Sequence, residues 1–196
     1  MIKNIITALV ILLIISACGG GGESSEDSSN TETPITENHT TQKVIVINGH
    51  TLPPEPDEAL NNSTLAGIDS NNNGVRDDVE RKIYLNHDTE IARQKLMQSA
   101  KVEQKWLEAD DLIENAKEWH KLMYLRIGCS RYIYYEYNIK LYRITTEDYT
   151  FNTRDRVEKY MDYNQALSGG VYSTPNNYKA KSSCDFNITK ALGAVN

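Results

Sequence analysis

Residues 69–80 read DSNNNGVRDDVE, and no other stretch of the chain restricts its fold as strongly. Oxygen-bearing side chains stand at positions one, three, five, nine and twelve of this run, with glycine at position six. A chain can use that spacing only by curling around a single point. A calcium ion needs such a curl, because it takes roughly six to eight oxygens at about 2.3–2.6 Å. Asp69, Asn71 and Asn73 offer side-chain oxygens from alternating positions, and Gly74 permits the sharp turn that follows. Val75 contributes its backbone carbonyl, so an apolar residue can stand there. Asp77 binds directly or through water, and Glu80, on the first turn of the next helix, closes the shell with both oxygens. Three charged ligands and two neutral amides give a modest attraction, with a dissociation constant on the order of 10⁻⁵ to 10⁻³ M. The rival reading is an Asn/Asp-rich surface turn whose Asp77 or Asp78 caps a helix.

The loop resembles two families, the EF-hand and the type 3 thrombospondin repeat. It departs from the EF-hand at position eight, where Arg76 replaces the aliphatic residue that pairs two hands. PPEP at 53–56 and NNST at 61–64 interrupt the segment where an incoming helix would lie. The resemblance is therefore to half a hand, a loop followed by an exiting helix from about Asp78. A sensor needs paired hands, so the implied role of calcium is structural.

The rest of the chain reads as mainly α, a small helical bundle with the calcium loop at its entrance. KVIVIN at 43–48 is a β-branched run stopped by Asn48-Gly49, which predicts a short strand. Helices are expected from Asp78 to about Leu85 and from Glu90 to about Ala109, separated by Asn86-His87-Asp88. A long helix is expected from Asp110-Asp111 to about Ile144, with Leu112, Ala116, Trp119, Met123, Ile127, Ser130 and Tyr134 along one face. Asn152 or Thr153 opens another, which Ser168-Gly169-Gly170 ends. The C-terminal segment is irregular, with room for a short strand or helix pinned by Cys184.

The chain begins with Lys3, an apolar run from Ile5 to Ile15, and Ser16-Ala17-Cys18. These features mark residues 1–17 as a secretory signal. The run is too short to span the roughly 30 Å hydrocarbon core of a bilayer. The I-S-A-C ending resembles the bacterial lipobox, which implies that Cys18 is lipidated and becomes the mature N-terminus. Gly19 follows it with no aspartate, and by resemblance to enterobacterial sorting rules the outer membrane is the expected address. Residues 18–42, rich in Gly, Ser, Thr and acids, read as a disordered acidic tether to the membrane, and 43–196 as a single helical domain. Cys129 and Cys184 remain. In an oxidising compartment they most simply form one disulfide, the alternative being a catalytic thiol at Cys129.

The formal net charge of −6 comes from the tether and the EPDE segment at 55–58, since nineteen basic residues balance nineteen acidic ones from residue 61 onward. No basic patch points to nucleic acid. Of the four histidines none has zinc-type spacing, and no G-x-S-x-G serine or phosphate-binding glycine loop is present. RYIYYEYNIKLY at 131–142 carries five tyrosines, which serve either core packing or a binding face.

Two longer stretches, 52–84 and 152–173, resemble segments shared by a group of uncharacterised proteobacterial lipoproteins. That resemblance implies an envelope location and calcium binding, and no substrate. Two function classes stay open. One is a non-catalytic envelope lipoprotein whose calcium-stabilised domain binds a protein or envelope partner. The other is an envelope hydrolase with a site assembled from scattered acids and His120.

Overall fold

A computed structural model of the protein describes residues 43–173 and 180–193. The signal segment, Cys18 and the tether lie outside the described residues.

Asn48 and Gly49 both take positive φ, 50° and 77°. That is the requirement of a two-residue hairpin turn. It joins β1 (Val46–Ile47) to β2 (His50–Thr51), which pair antiparallel. The strand expected over 43–48 is thus shorter and gains a partner. A short helix, α1 (Glu58–Asn62), follows the prolines, capped by the Asp57 carboxylate on the Leu60 N–H.

The bundle is built on α2 (Asp77–Asn86), α3 (Glu90–Glu108), α4 (Ala116–Tyr137) and α6 (Arg154–Leu167). Shorter helices α5 (Glu147–Thr150) and α7 (Ile188–Gly193), and a 3-10 turn at Lys181–Ser183, complete it. The mainly α architecture with a small strand element is as the sequence leads one to expect.

α3 is the axle. Its residues enter all three apolar clusters: Leu96, Met97 and Ala100 with Val75, Val79 and Ile83; Val102, Trp106 and Leu107 with Leu112, Phe151 and Tyr163; Ile91 and Ala92 with Cys129, Ile133 and Ile188. A helix touched on every side must also bury polar residues, and each needs a partner. Gln98 donates to the Ser183 carbonyl at 2.6 Å and Gln104 to that of Ala66 at 2.8 Å.

The long helix differs from its sequence reading at both ends. It starts at Ala116 because residues 110–115 wind in turns, with the Asp111 carboxylate accepting from Asn115 Nδ2 (2.8 Å) and Trp119 Nε1 (3.0 Å). It stops at Tyr137 because Asn138 adopts a left-handed conformation, φ 55°, and its N–H caps the Tyr134 carbonyl. Asparagine tolerates that conformation better than most residues. Cys129, fully buried on α4, is disulfide-bonded to Cys184 across 55 residues. The bridge fixes the C-terminal segment to the bundle.

Candidate metal centre

The loop of residues 69–76 is organised by its own side chains. Asp69 accepts from the backbone N–H of Asn73 (3.2 Å, Oδ1) and of Gly74 (2.8 Å, Oδ2). Asn71 Oδ1 accepts from Asn73 N–H at 3.1 Å, and Asn73 Oδ1 from Val75 N–H at 2.9 Å. These are successive Asx turns, in which a side chain imitates the backbone of a turn. Gly74 sits at φ 83°, and an added Cβ would meet nothing closer than 3.8 Å. Backbone conformation rather than space therefore calls for glycine there.

The two amides reach the far end of the loop. Asn71 Nδ2 donates to Glu80 Oε2 at 3.1 Å and Asn73 Nδ2 to the same oxygen at 2.5 Å. Positions three, five and twelve thus meet at one point. Glu80 is fully buried on the first turn of α2, and its other oxygen, Oε1, lies 2.5 Å from His50 Nε2. His50 stacks on Tyr84 with ring centroids 4.2 Å apart, so the hairpin holds the glutamate from outside the loop. Asp77 is buried as well and accepts from Ser70 N–H at 3.0 Å. Burial, and next the negative charges of Asp69 and Glu80, push its pKa above the ordinary carboxylate range against the Ser70 hydrogen bonds. Val75 serves the loop through its side chain, which is buried in the first apolar cluster.

Two buried arginines bolt the loop and the 61–65 segment before it to the body. Arg76, the residue that departs from the hand pattern, pairs through Nε with Asp78 Oδ1 at 2.5 Å. It also donates to the carbonyls of Tyr149 (3.0 Å) and Thr150 (3.3 Å) and to Asn152 Oδ1 (3.0 Å). Arg156 on α6 donates to the carbonyls of Asn61 (2.6 Å), Thr64 (2.9 Å) and Leu65 (3.0 Å). It reaches Asn62 Oδ1 (3.0 Å) and Asn152 Oδ1 (2.8 Å) too. Gly67, φ 67°, passes between the two; a Cβ there would lie 2.1 Å from Arg76 Cδ and 3.0 Å from Arg156 Nη2. Stretches 52–84 and 152–173, far apart in sequence, are therefore one unit in space.

Sequence reasoning placed the loop residues but missed His50, Arg76 and Arg156. A histidine just after a strand turn carries no spacing signal towards Glu80. Arg76 stood out only as a departure from a pattern, and its partners other than Asp78 lie more than seventy residues away. The α2 N-cap is Arg76, with neither Asp77 nor Asp78 in that role; both carboxylates are inside the helix and turned to other partners. His120 bonds Tyr163 Oη at 3.2 Å and packs on Tyr124 and Tyr172. Burial holds its pKa below the usual histidine value.

Among the described residues no group of three or more His, Cys, Asp and Glu side chains is ready-made for a metal. A centre at this loop depends on the two amides and a backbone carbonyl beside its carboxylates, a donor set suited to a hard, oxygen-seeking cation. No described helix is long and apolar enough to cross a membrane. No protein-family model matches the chain, and neither a curated protein nor a solved structure does. Function must be argued from the residues themselves.

Proposed function

We propose that the protein is a lipid-anchored, non-catalytic envelope protein whose helical domain is held together by one calcium ion and binds a protein or envelope partner. The observation that carries the metal reading is the convergence of Asn71 and Asn73 on buried Glu80, with Asp69 closing the near end of the same loop. Asp69, Asn71, Asn73, Val75, Asp77 and Glu80 would hold the ion. Bound there, a dication neutralises carboxylates that otherwise repel one another in a buried place. The side chains do the remaining work. Asx turns set the curl, Gly74 permits it, and His50 keeps Glu80 oriented. Arg76 and Arg156 transmit the loop's rigidity to the 149–156 segment. A single loop bolted in this manner suits a staple better than a sensor, which must open a groove between paired hands.

Lipidation of Cys18, following the I-S-A-C ending, supplies the address. The stretches at 52–84 and 152–173 that resemble proteobacterial lipoproteins support the same location. The experiment is calorimetric melting of the purified protein with calcium and with chelator. At a calcium concentration about tenfold above Kd, binding to the folded state alone adds roughly 1.4 kcal/mol. That raises the melting temperature by about 3–6 °C for a domain of this size. Equal melting temperatures in millimolar calcium and in chelator would remove the metal from the account.

A further inference from the structure

The tyrosine-rich end of α4 takes no part in the calcium loop, and it borders a cavity. This cavity, of about 550 Å³, lies between α3, α4 and the segment that follows α4. Its walls include Met123, Ile127 and Ile144 and the rings of Tyr134, Tyr135 and Tyr142. Tyr135 and Tyr142 are more than half exposed, at 58% and 51%, so they stand at the mouth and are not core. Tyr134 meets both of them edge-on, at 5.3 Å and 6.0 Å between centroids. The volume lies within the range of sites that enclose small organic molecules.

The charged groups lining this cavity are all cationic: Lys95, Arg126 and Arg131. Two of them, Lys95 and Arg126, are buried. Lys95 is 6% exposed, and one of its three N–H donors goes to the Ile144 carbonyl at 2.6 Å. Burial, with the Arg126 charge beside it, brings its pKa down to about 8. Arg126 is 8% exposed; its Nη2 pairs with Glu103 at 3.0 Å and lies 3.7 Å from Glu147. Its guanidinium carbon sits 5.9 Å from the Trp106 ring, and its Nη1 is buried with no hydrogen-bond partner. Desolvated cations beside aromatic walls in a concavity are what a ligand of opposite charge with an aromatic body needs.

We propose that this cavity binds a small organic anion with an aromatic body, its charged head seated by Lys95, Arg126 and Arg131 and its ring against Tyr134, Tyr135 and Tyr142. The ring slides between the tyrosine faces, which give affinity without demanding one particular ligand. The site shares no lining residue with the calcium loop, and it goes beyond the anchored, calcium-stapled reading without depending on it.

Titration calorimetry of the purified protein with 2-naphthoate, and with the neutral 2-naphthamide as its shape control, tests the proposal. Naphthoate should bind once per chain with a sub-millimolar Kd, and the amide at least tenfold more weakly. Arg131→Gln and Tyr135→Ala, both at exposed positions, should each weaken naphthoate at least fivefold while the protein stays folded. Lys95→Met should weaken naphthoate likewise; the two exposed variants carry the test if it does not fold. Absence of naphthoate binding, equal binding of the amide, or unchanged affinity in both exposed variants would overturn the assignment.

Discussion

Replacing Arg156 by methionine keeps much of the side chain's length and volume and deletes every donor. Four acceptors then lose their partner, the carbonyls of Asn61, Thr64 and Leu65 and the amide oxygen of Asn62, while Asn152 Oδ1 keeps Arg76. A buried acceptor stranded in this manner costs about 1–2 kcal/mol, and bonds to a charged donor lie at the upper end. One effect opposes the loss. Burial lowers the arginine pKa to about 10 from its usual value near 12.5, a desolvation cost on the order of 3 kcal/mol that methionine relieves. Four stranded acceptors outweigh it, and a net loss of about 3 kcal/mol is expected. In a domain of this size that lowers the melting temperature by about 6–12 °C. Urea titration of wild type and variant reads the difference directly. Arg154→Met is the control: its partner Glu158 is exposed and one turn away, so it should change stability by less than about 0.5 kcal/mol. If Arg156→Met unfolds within 1 kcal/mol of wild type, the buried arginine is not what binds the 61–65 segment to α6, and the reasoning fails.

Three further outcomes are expected. Reducing the Cys129–Cys184 bridge frees a loop of 55 residues and should cost on the order of 4 kcal/mol, measured by urea titration with and without reductant. Gly67→Ala puts a methyl against Arg76 and Arg156 at a left-handed position, so it should destabilise by more than the roughly 1 kcal/mol that a strained turn alone costs. Lys95 binds its proton less tightly folded, at about 8, than unfolded, near 10.5. The unfolded chain therefore holds more protons between those values, and the lysine's penalty, full below about pH 8, disappears as pH rises towards 10.5. Lys95→Met should accordingly be more stable than wild type at pH 7, by an amount that shrinks by pH 10; a difference that stays constant across the two would refute this.

What could be read from the chain was whatever acts locally. The Asx spacing, Gly74 and the Asn48-Gly49 turn are short-range, and each appears where the residues placed it. The borders of α2, α3 and α6 lie at or near the breakers the residues offer, and of the three only α6 starts on a side-chain cap, Thr153 accepting from the Arg156 N–H. The long helix was overextended because apolar spacing continues past the point where Asn138 turns left-handed, and periodicity carries no information about φ. The bolts at Arg76 and Arg156 were illegible for a different reason. Their acceptors are mostly backbone carbonyls, which every residue possesses, so no residue type marks them. His50 beside Glu80 was hidden likewise, since only the folded hairpin brings them together. The tyrosine run was visible as a run with Arg131 at its head, while the other basic residues of its cavity, Lys95 on α3 and buried Arg126 on α4, carried no signal toward it.

The central claim is that the loop from Asp69 to Glu80 takes up calcium, and equilibrium titration of the purified, metal-stripped protein tests it most directly. The account predicts one ion per chain, a Kd on the order of 10⁻⁵ to 10⁻³ M, and weaker binding of magnesium, which gives up its waters reluctantly. Glu80→Ala and Asp69→Ala should each abolish measurable binding at millimolar calcium while leaving the protein folded. Saturation at one ion by both variants with wild-type affinity, or no uptake by wild type at all, would mean that the loop is an asparagine-rich turn and nothing more.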